Sequence, residues 1–241
     1  MKGMLFILLV AGQAVLAQTA VNKSFPVQSG QQVNLHFDHP ELIKVSTWDR
    51  NEISVTGSVM INNGENDDAF SITSSTGGNV VYVRGEMVNM KSLPRRITIH
   101  RDGSTLTFKN KEEYNKYAAQ NGRDYDWMNN GVDIEIMLEV KVPKNMFTNM
   151  KAVYGMVEVR NFEGPIDVLS TYGGVDAALN VKTTGELIAE THYGTIYSNL
   201  DVKFTDGEEK NFHSWVKANP GTGPKQSFEC KYGNVYLRKP L

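Results

Sequence analysis

Two histidines three residues apart, His36 and His39, flank Asp38 and have the composition of a metal-binding pair. A zinc centre, however, wants three or four converging ligands. Here His36 falls on the polar face of an alternating segment and His39 precedes Pro40 in a turn, so no metal site is expected. His100, His192 and His213 are isolated in sequence. The stretch GRDYDWMNNGVD offers Asp124, Asp126 and Asn129 as calcium-loop oxygens, but Met128 stands where a third ligand is required. A solvated loop is the expectation there and for NNGENDD at 62–68. Glu190 and Glu229, and separately Glu158 and Asp176, are pairs of carboxylates of the kind used in glycoside hydrolysis. Alternation alone turns polar side chains outward on every strand, which explains them without catalysis. No GxSxG, Walker A loop or Cys–His pairing appears. The expectation is a chain without catalytic residues, metal or cofactor.

The elements that would position such residues are strands. Val33, Leu35 and Phe37 alternate with polar neighbours, as do Ile53 and Val55, Ile97 and Ile99, and Ile134, Ile136, Leu138, Val140 and Val142. Period two places each set on one inward face. Asn62-Asn63-Gly64, Thr76-Gly77-Gly78 and Asp102-Gly103 mark turns, the last joining RRITIHR to STLTFK as a hairpin. One segment differs: NKEEYNKYAAQNG reads as a short helix with Asn110 as N-cap, Glu113 in the capping-box position and Gly122 as terminator. Tyr114 and Tyr117 would dock it beside the sheets.

Four Tyr-Gly pairs stand at 154–155, 172–173, 193–194 and 232–233. Chance placement of 10 Tyr and 21 Gly would give about one. Two residues before each Tyr stand Ala152, Ser170, Thr191 and Cys230; four before stand Met150, Val168, Ala189 and Phe228. After the Gly come Val157, Val175, Ile196 and Val235. Each unit of about 20 residues is therefore two short strands with a corner at Tyr-Gly, and cannot bury its apolar face alone. Stacked units give ladders. The expected fold is all-β, a β-solenoid of such coils, with a β-sandwich as the alternative. GPIDVLSTYGGVDAAL and GELIAETHYGTIYSNL would be neighbouring coils. Tyr154, Tyr172, Tyr193 and Tyr232, with Gly155, Gly173, Gly194 and Gly233, would form a structural ladder whose rings face inward. Cys230 would be a small inward filler rather than a reactive thiol. Tyr197 and Tyr236 share an outward column with Glu158 and Asp176, and form the candidate binding surface for a sugar ring or a protein, against ordinary cross-strand pairing.

The first 17 residues have the grammar of a secretory signal: Lys2, an apolar run from Met4 to Val10, and a small-residue end at Ala17. That run is shorter than the roughly 20 residues a membrane span needs. The organisation expected is a signal peptide at 1–17, a β-strand region at 18–145 with the helical insertion near 110–122, and β-solenoid repeats at 146–241. A capping hairpin near 205–223 would carry Phe212 and Trp215. A net charge of -2, from 25 Lys and Arg against 27 Asp and Glu, gives no nucleic-acid footprint. One cysteine gives no internal disulfide.

The run VPKNMFTNMKAVYGMVEVRNFEGPIDVLSTYGGVDAALN, after an alternating half and an export signal, resembles the bacterial β-strand-repeat putative-adhesin family, a domain of unknown function. The motif, a small residue followed by any residue, Asn or Tyr, and Gly, matches Ser170 to Val175 and Thr191 to Ile196. The resemblance implies an exported β-solenoid in the periplasm or at the cell surface, and supplies no catalytic residues. The function expected is a non-catalytic envelope or surface interaction module, with an unknown envelope protein or glycan as partner. The alternatives are a carbohydrate-active enzyme on a β-helix scaffold and a self-assembling structural envelope protein.

Overall fold

The computed structural model describes residues 18–210 and 212–240, so the expected export signal lies outside the described residues. The N-terminal half forms β1 (Thr19–Pro26), β2 (Gln32–Phe37), β3 (Leu42–Trp48), β4 (Glu52–Ile61), β5 (Phe70–Gly77) and β6 (Val80–Met87). It continues with β7 (Arg96–Arg101), β8 (Ser104–Phe108), the helix α1 (Lys111–Asn121), β9 (Trp127–Gly131) and β10 (Ile134–Pro143). The remainder forms β11 (Thr148–Val159), β12 (Ile166–Ala178), β13 (Leu187–Thr191), β14 (Ile196–Ser198), β15 (Asp206–Lys210), β16 (His213–Ala218) and β17 (Gln226–Arg238). The chain is mostly β: 14 strands join one large mixed sheet, and β8, β7 and β9 make a second. Among the described residues no helix is long and apolar enough to cross a membrane.

Alternation accounts for the core. Val33, Leu35, Phe37, Ile53, Val55, Ile136, Leu138, Val140 and Val142 are all buried in one cluster, as their period requires. The Asp102-Gly103 hairpin forms with both turn residues at positive φ, 52° and 74°. The expected helix is capped at Asn110, whose side chain accepts a hydrogen bond from the Glu113 amide at 3.0 Å. Glu113 reaches back one residue further than a capping box, to the amide of Lys109. The helix packs Tyr114 and Ala118 on Ile97, Ile99 and Phe108 of the smaller sheet.

Within the large sheet, parallel strands stack in five layers that each turn a corner. The first arm of β11 pairs with β2, setting Met150 opposite Leu35; its second arm pairs with β3, setting Val157 opposite Ile43. Strand β12 lies on β11, β17 on β12, and β13 and β14 together on β17, all parallel. Ala152, Ser170, Cys230 and Thr191 make one column at 0% exposure. The aligned columns are those expected, but their order is not. The last strand of the sequence, β17, lies between β12 and β13, so the two similar segments at 164–179 and 185–200 are not neighbours. The hairpin β15–β16 explains this: β16 takes the outer edge of β13 in antiparallel pairing, which leaves the returning chain the inner edge.

The corners are glycine because successive layers touch there through backbone. A Cβ on Gly155 would lie 2.2 Å from the Pro40 carbonyl oxygen, on Gly173 2.0 Å from that of Gly155, on Gly233 1.9 Å from that of Gly173, and on Gly194 1.9 Å from that of Gly233. Each glycine thus abuts a carbonyl of the layer beneath it. Gly173→Ala is expected to lower the urea midpoint by an amount equivalent to about 1–3 kcal/mol, the usual range for overpacking. Gly131→Ala, whose Cβ would meet only the Asn129 side chain at 3.5 Å or more, should leave it nearly unchanged.

Candidate aromatic ladder and a histidine–carboxylate cluster

The tyrosines of the four pairs stand in register as expected, but they face outward. Tyr154, Tyr172, Tyr232 and Tyr193 are 48%, 49%, 49% and 57% exposed. The inward expectation is corrected by the corner itself. Residues 152 and 157 are both buried, five positions apart, so strict alternation is broken once between them. Tyrosine and glycine occupy the bend, with glycine against the neighbouring layer and tyrosine on the convex side.

The rings stack along the sheet as Tyr154, Tyr172, Tyr232 and Tyr193, with centroid spacings of 5.5, 5.0 and 5.1 Å and interplanar angles of 8–18°. His39 continues the row at one end, 5.7 Å from Tyr154, and Phe212 at the other, 5.8 Å from Tyr193. His39 stands in its own layer where the others carry tyrosine, and is a ladder residue; His36 lies 2.9 Å from Asp38. The spacing follows the strand spacing of a sheet. Because the faces lie against each other, the row presents ring edges and phenolic hydroxyls to solvent.

Tyr197 and Tyr236 stack in the expected outward column, 5.2 Å apart. Tyr197 is 50% exposed. The other face of Tyr236 is covered by the Arg238 guanidinium at 5.0 Å, and its hydroxyl accepts a hydrogen bond from Asn234 Nδ2 at 3.0 Å. In the same column Asp176 is tied to Arg160 at 3.0 Å and to Arg238 at 2.8 Å. Cys230 is wholly buried, and burial pushes its thiol pKa up, only partly offset by hydrogen bonding with Ser170. Residues 127–131, read as part of a solvated loop, form β9 against β7.

A second constellation was invisible in the sequence. Antiparallel pairing of β13 with β16 brings His213 back over the strand end that carries Glu190 and His192. His213 Nε2 lies 2.8 Å, and His192 Nε2 3.4 Å, from the same Glu190 oxygen; Glu229 is 3.7 Å from His192. The imidazoles stack at 4.8 Å. The Glu190–Glu229 adjacency is the expected one, but the histidines are 21 positions apart, His213 lies outside the repeats, and only the hairpin joins them. A cleft of about 480 Å³ lies beyond the opposite corner, between Phe162, Leu179, Thr184 and Pro224. Its buried Gln226 is engaged with the carbonyl oxygens of Phe162 and Gly164, so it offers no free polar group.

With this geometry in place, one solved structure shows a shared fold. The chain superposes on the crystal structure of a "putative cell adhesion protein" from Clostridium sporogenes ATCC 15579 with a TM-score of 0.52 and 12% identity, covering 92% of this chain and 100% of that one. A "putative adhesin" from Bacteroides fragilis NCTC 9343 aligns over 92% of this chain and 98% of that one, at 9% identity and a TM-score of 0.24. No family model and no curated protein matches the chain.

Two outcomes follow for the ladder. Tyr172→Ala removes two ring stacks and about half the burial of a core tyrosine, so urea denaturation should show a loss of about 1–3 kcal/mol, less than a fully buried tyrosine would cost. His39 is held below its ordinary pKa by burial, with nearby Asp38 opposing. The unfolded chain therefore binds the proton more readily, so the contribution is full above about pH 6.5 and declines as pH falls below it. His39→Phe should lose less thermal stability than the parent between pH 7 and pH 5.

Proposed function

We propose that this chain is a non-catalytic, exported β-repeat protein, built as a short β-solenoid, and that it acts as an interaction module of the cell envelope or cell surface. The observation that carries the reading is the exposed aromatic row. Four tyrosines in register, extended by His39 at one end and Phe212 at the other, keep about half of each tyrosine in water. Contiguous exposed aromatic surface of this kind suits contact with another molecule. A row of tyrosine edges and hydroxyls at ring spacings of 5.0–5.5 Å offers hydrogen bonds and apolar contact at a regular interval. Its natural occupant is an extended chain, a glycan or a strand of an envelope protein, lying along the stack. The name carried by the similar Clostridium protein points the same way, although fold alone does not fix function.

The absence of catalysis belongs to this proposal. The outward carboxylates that sequence reading set aside as a hydrolytic pair are engaged here, Asp176 with Arg160 and Arg238, and Glu190 with His213. The Tyr197–Tyr236 pair is a smaller candidate surface on the second arm, with one ring already covered.

The test uses residues 18–241 incubated with the envelope fraction and its separated polysaccharides, measuring what is retained. Saturable retention of one glycan or protein is expected, reduced at least about 10-fold by Tyr172→Ser combined with Tyr232→Ser in a protein that keeps its circular dichroism. Retention unchanged by that pair but lost in Tyr197→Ala with Tyr236→Ala would move the contact to the second arm. Turnover of a polysaccharide, abolished by outward-carboxylate variants, would replace the reading with an enzyme.

A further inference from the structure

We propose that Glu190, His192 and His213, with Glu229 beside them, form a binding site for a divalent transition metal ion such as Zn²⁺, and that the ion clasps the β15–β16 hairpin to the sheet. The ligand atoms of the first three all lie within 4.8 Å of one another. A tetrahedral site with bonds near 2.0–2.1 Å needs ligand atoms about 3.3 Å apart. Two edges of the Glu190–His192–His213 triangle, 2.8 and 3.4 Å, lie near that length and the third is within 4.8 Å, so the set closes on an ion once the two stacked imidazoles turn toward each other.

The chemistry of the set is suited to the same occupant. Two imidazole nitrogens point at one carboxylate oxygen, and a second carboxylate stands behind them. With neutral imidazoles the cluster holds two negative charges, which a dication offsets. Nitrogen and carboxylate ligands together favour Zn²⁺, Cu²⁺ or Ni²⁺ over Ca²⁺ or Mg²⁺, which take oxygen ligands. The side chains are 33–42% exposed, leaving a path for the ion and room for water to complete its shell.

The position gives the ion a role. Glu190 lies at the end of β13 with His192 just beyond it, and His213 begins β16, so one ion joins β16 to β13 at the end of the stack, with Glu229 of β17 beside it. The adjacent ring pair, Tyr193 and Phe212, is the last step of the aromatic ladder. Holding His213 against His192 therefore also holds Phe212 over Tyr193.

The experiment is a titration of untagged, metal-free residues 18–241 with Zn²⁺ in competition with a chromophoric chelator, followed by hydrogen exchange with and without one equivalent. One tight site per chain is expected, at least about 10-fold weaker in His192→Ala and in His213→Ala and unchanged in His100→Ala. Amides of β16 should gain protection on Zn²⁺ addition. Glu190→Gln, which keeps the shape of the side chain, should also weaken binding if the variants lacking a histidine fail to fold. No saturable binding, equal binding by the His192 and His213 variants, or a preference for Ca²⁺ would each overturn the proposal and leave the cluster an ion-pair network.

Discussion

The constraint on which the rest of the structure depends is the contact between glycine and carbonyl at each corner. Parallel layers a strand spacing apart can bend together only if the chain at the bend carries no side chain toward its neighbour. Gly155, Gly173, Gly233 and Gly194 meet this in turn, each against the backbone of the layer below, and the first rests on Pro40 and Glu41. Once that column is seated, both arms of every layer are in register. The inward column of Ala152, Ser170, Cys230 and Thr191 then has room only for small side chains, because it lines the inside of the bend.

The outward row follows from the same bend. Breaking alternation once lets the residue before each glycine leave the core while its second and fourth predecessors stay in it. Four tyrosines thereby reach the surface at strand spacing, close enough to stack and too regular to be scattered exposure. The stacking stabilises the layers modestly, and the hydroxyl edge remains available. One geometric device thus serves both the fold and the surface proposed to act.

The hairpin β15–β16 has an analogous double role. It covers the outer edge of β13, an edge that would otherwise offer unpaired backbone groups to another chain. In doing so it sends β17 inward between β12 and β13, and it carries Phe212 and His213 to the end of the stack. The ladder's last ring and the histidine–carboxylate cluster are products of that single antiparallel pairing.

The amino-acid sequence by itself determined the β character, the inward sets from Val33 to Val142, the helix capped at Asn110, and the columns aligned on Tyr-Gly. These rest on short-range periodicity, which one chain records fully. It also placed Glu190 beside Glu229 and Tyr197 beside Tyr236, since column mates share a position in the repeat. It did not determine which way the tyrosines face, because a corner shifts parity by one residue and no local pattern marks that shift. Nor did it determine that β17 separates β12 from β13, since any layer with a small residue at the inner column fits any neighbour. Only the tertiary structure decided these, and with them the meeting of His192 and His213: strand order is set by which edges the hairpin leaves free, and that depends on pairing across the whole sheet.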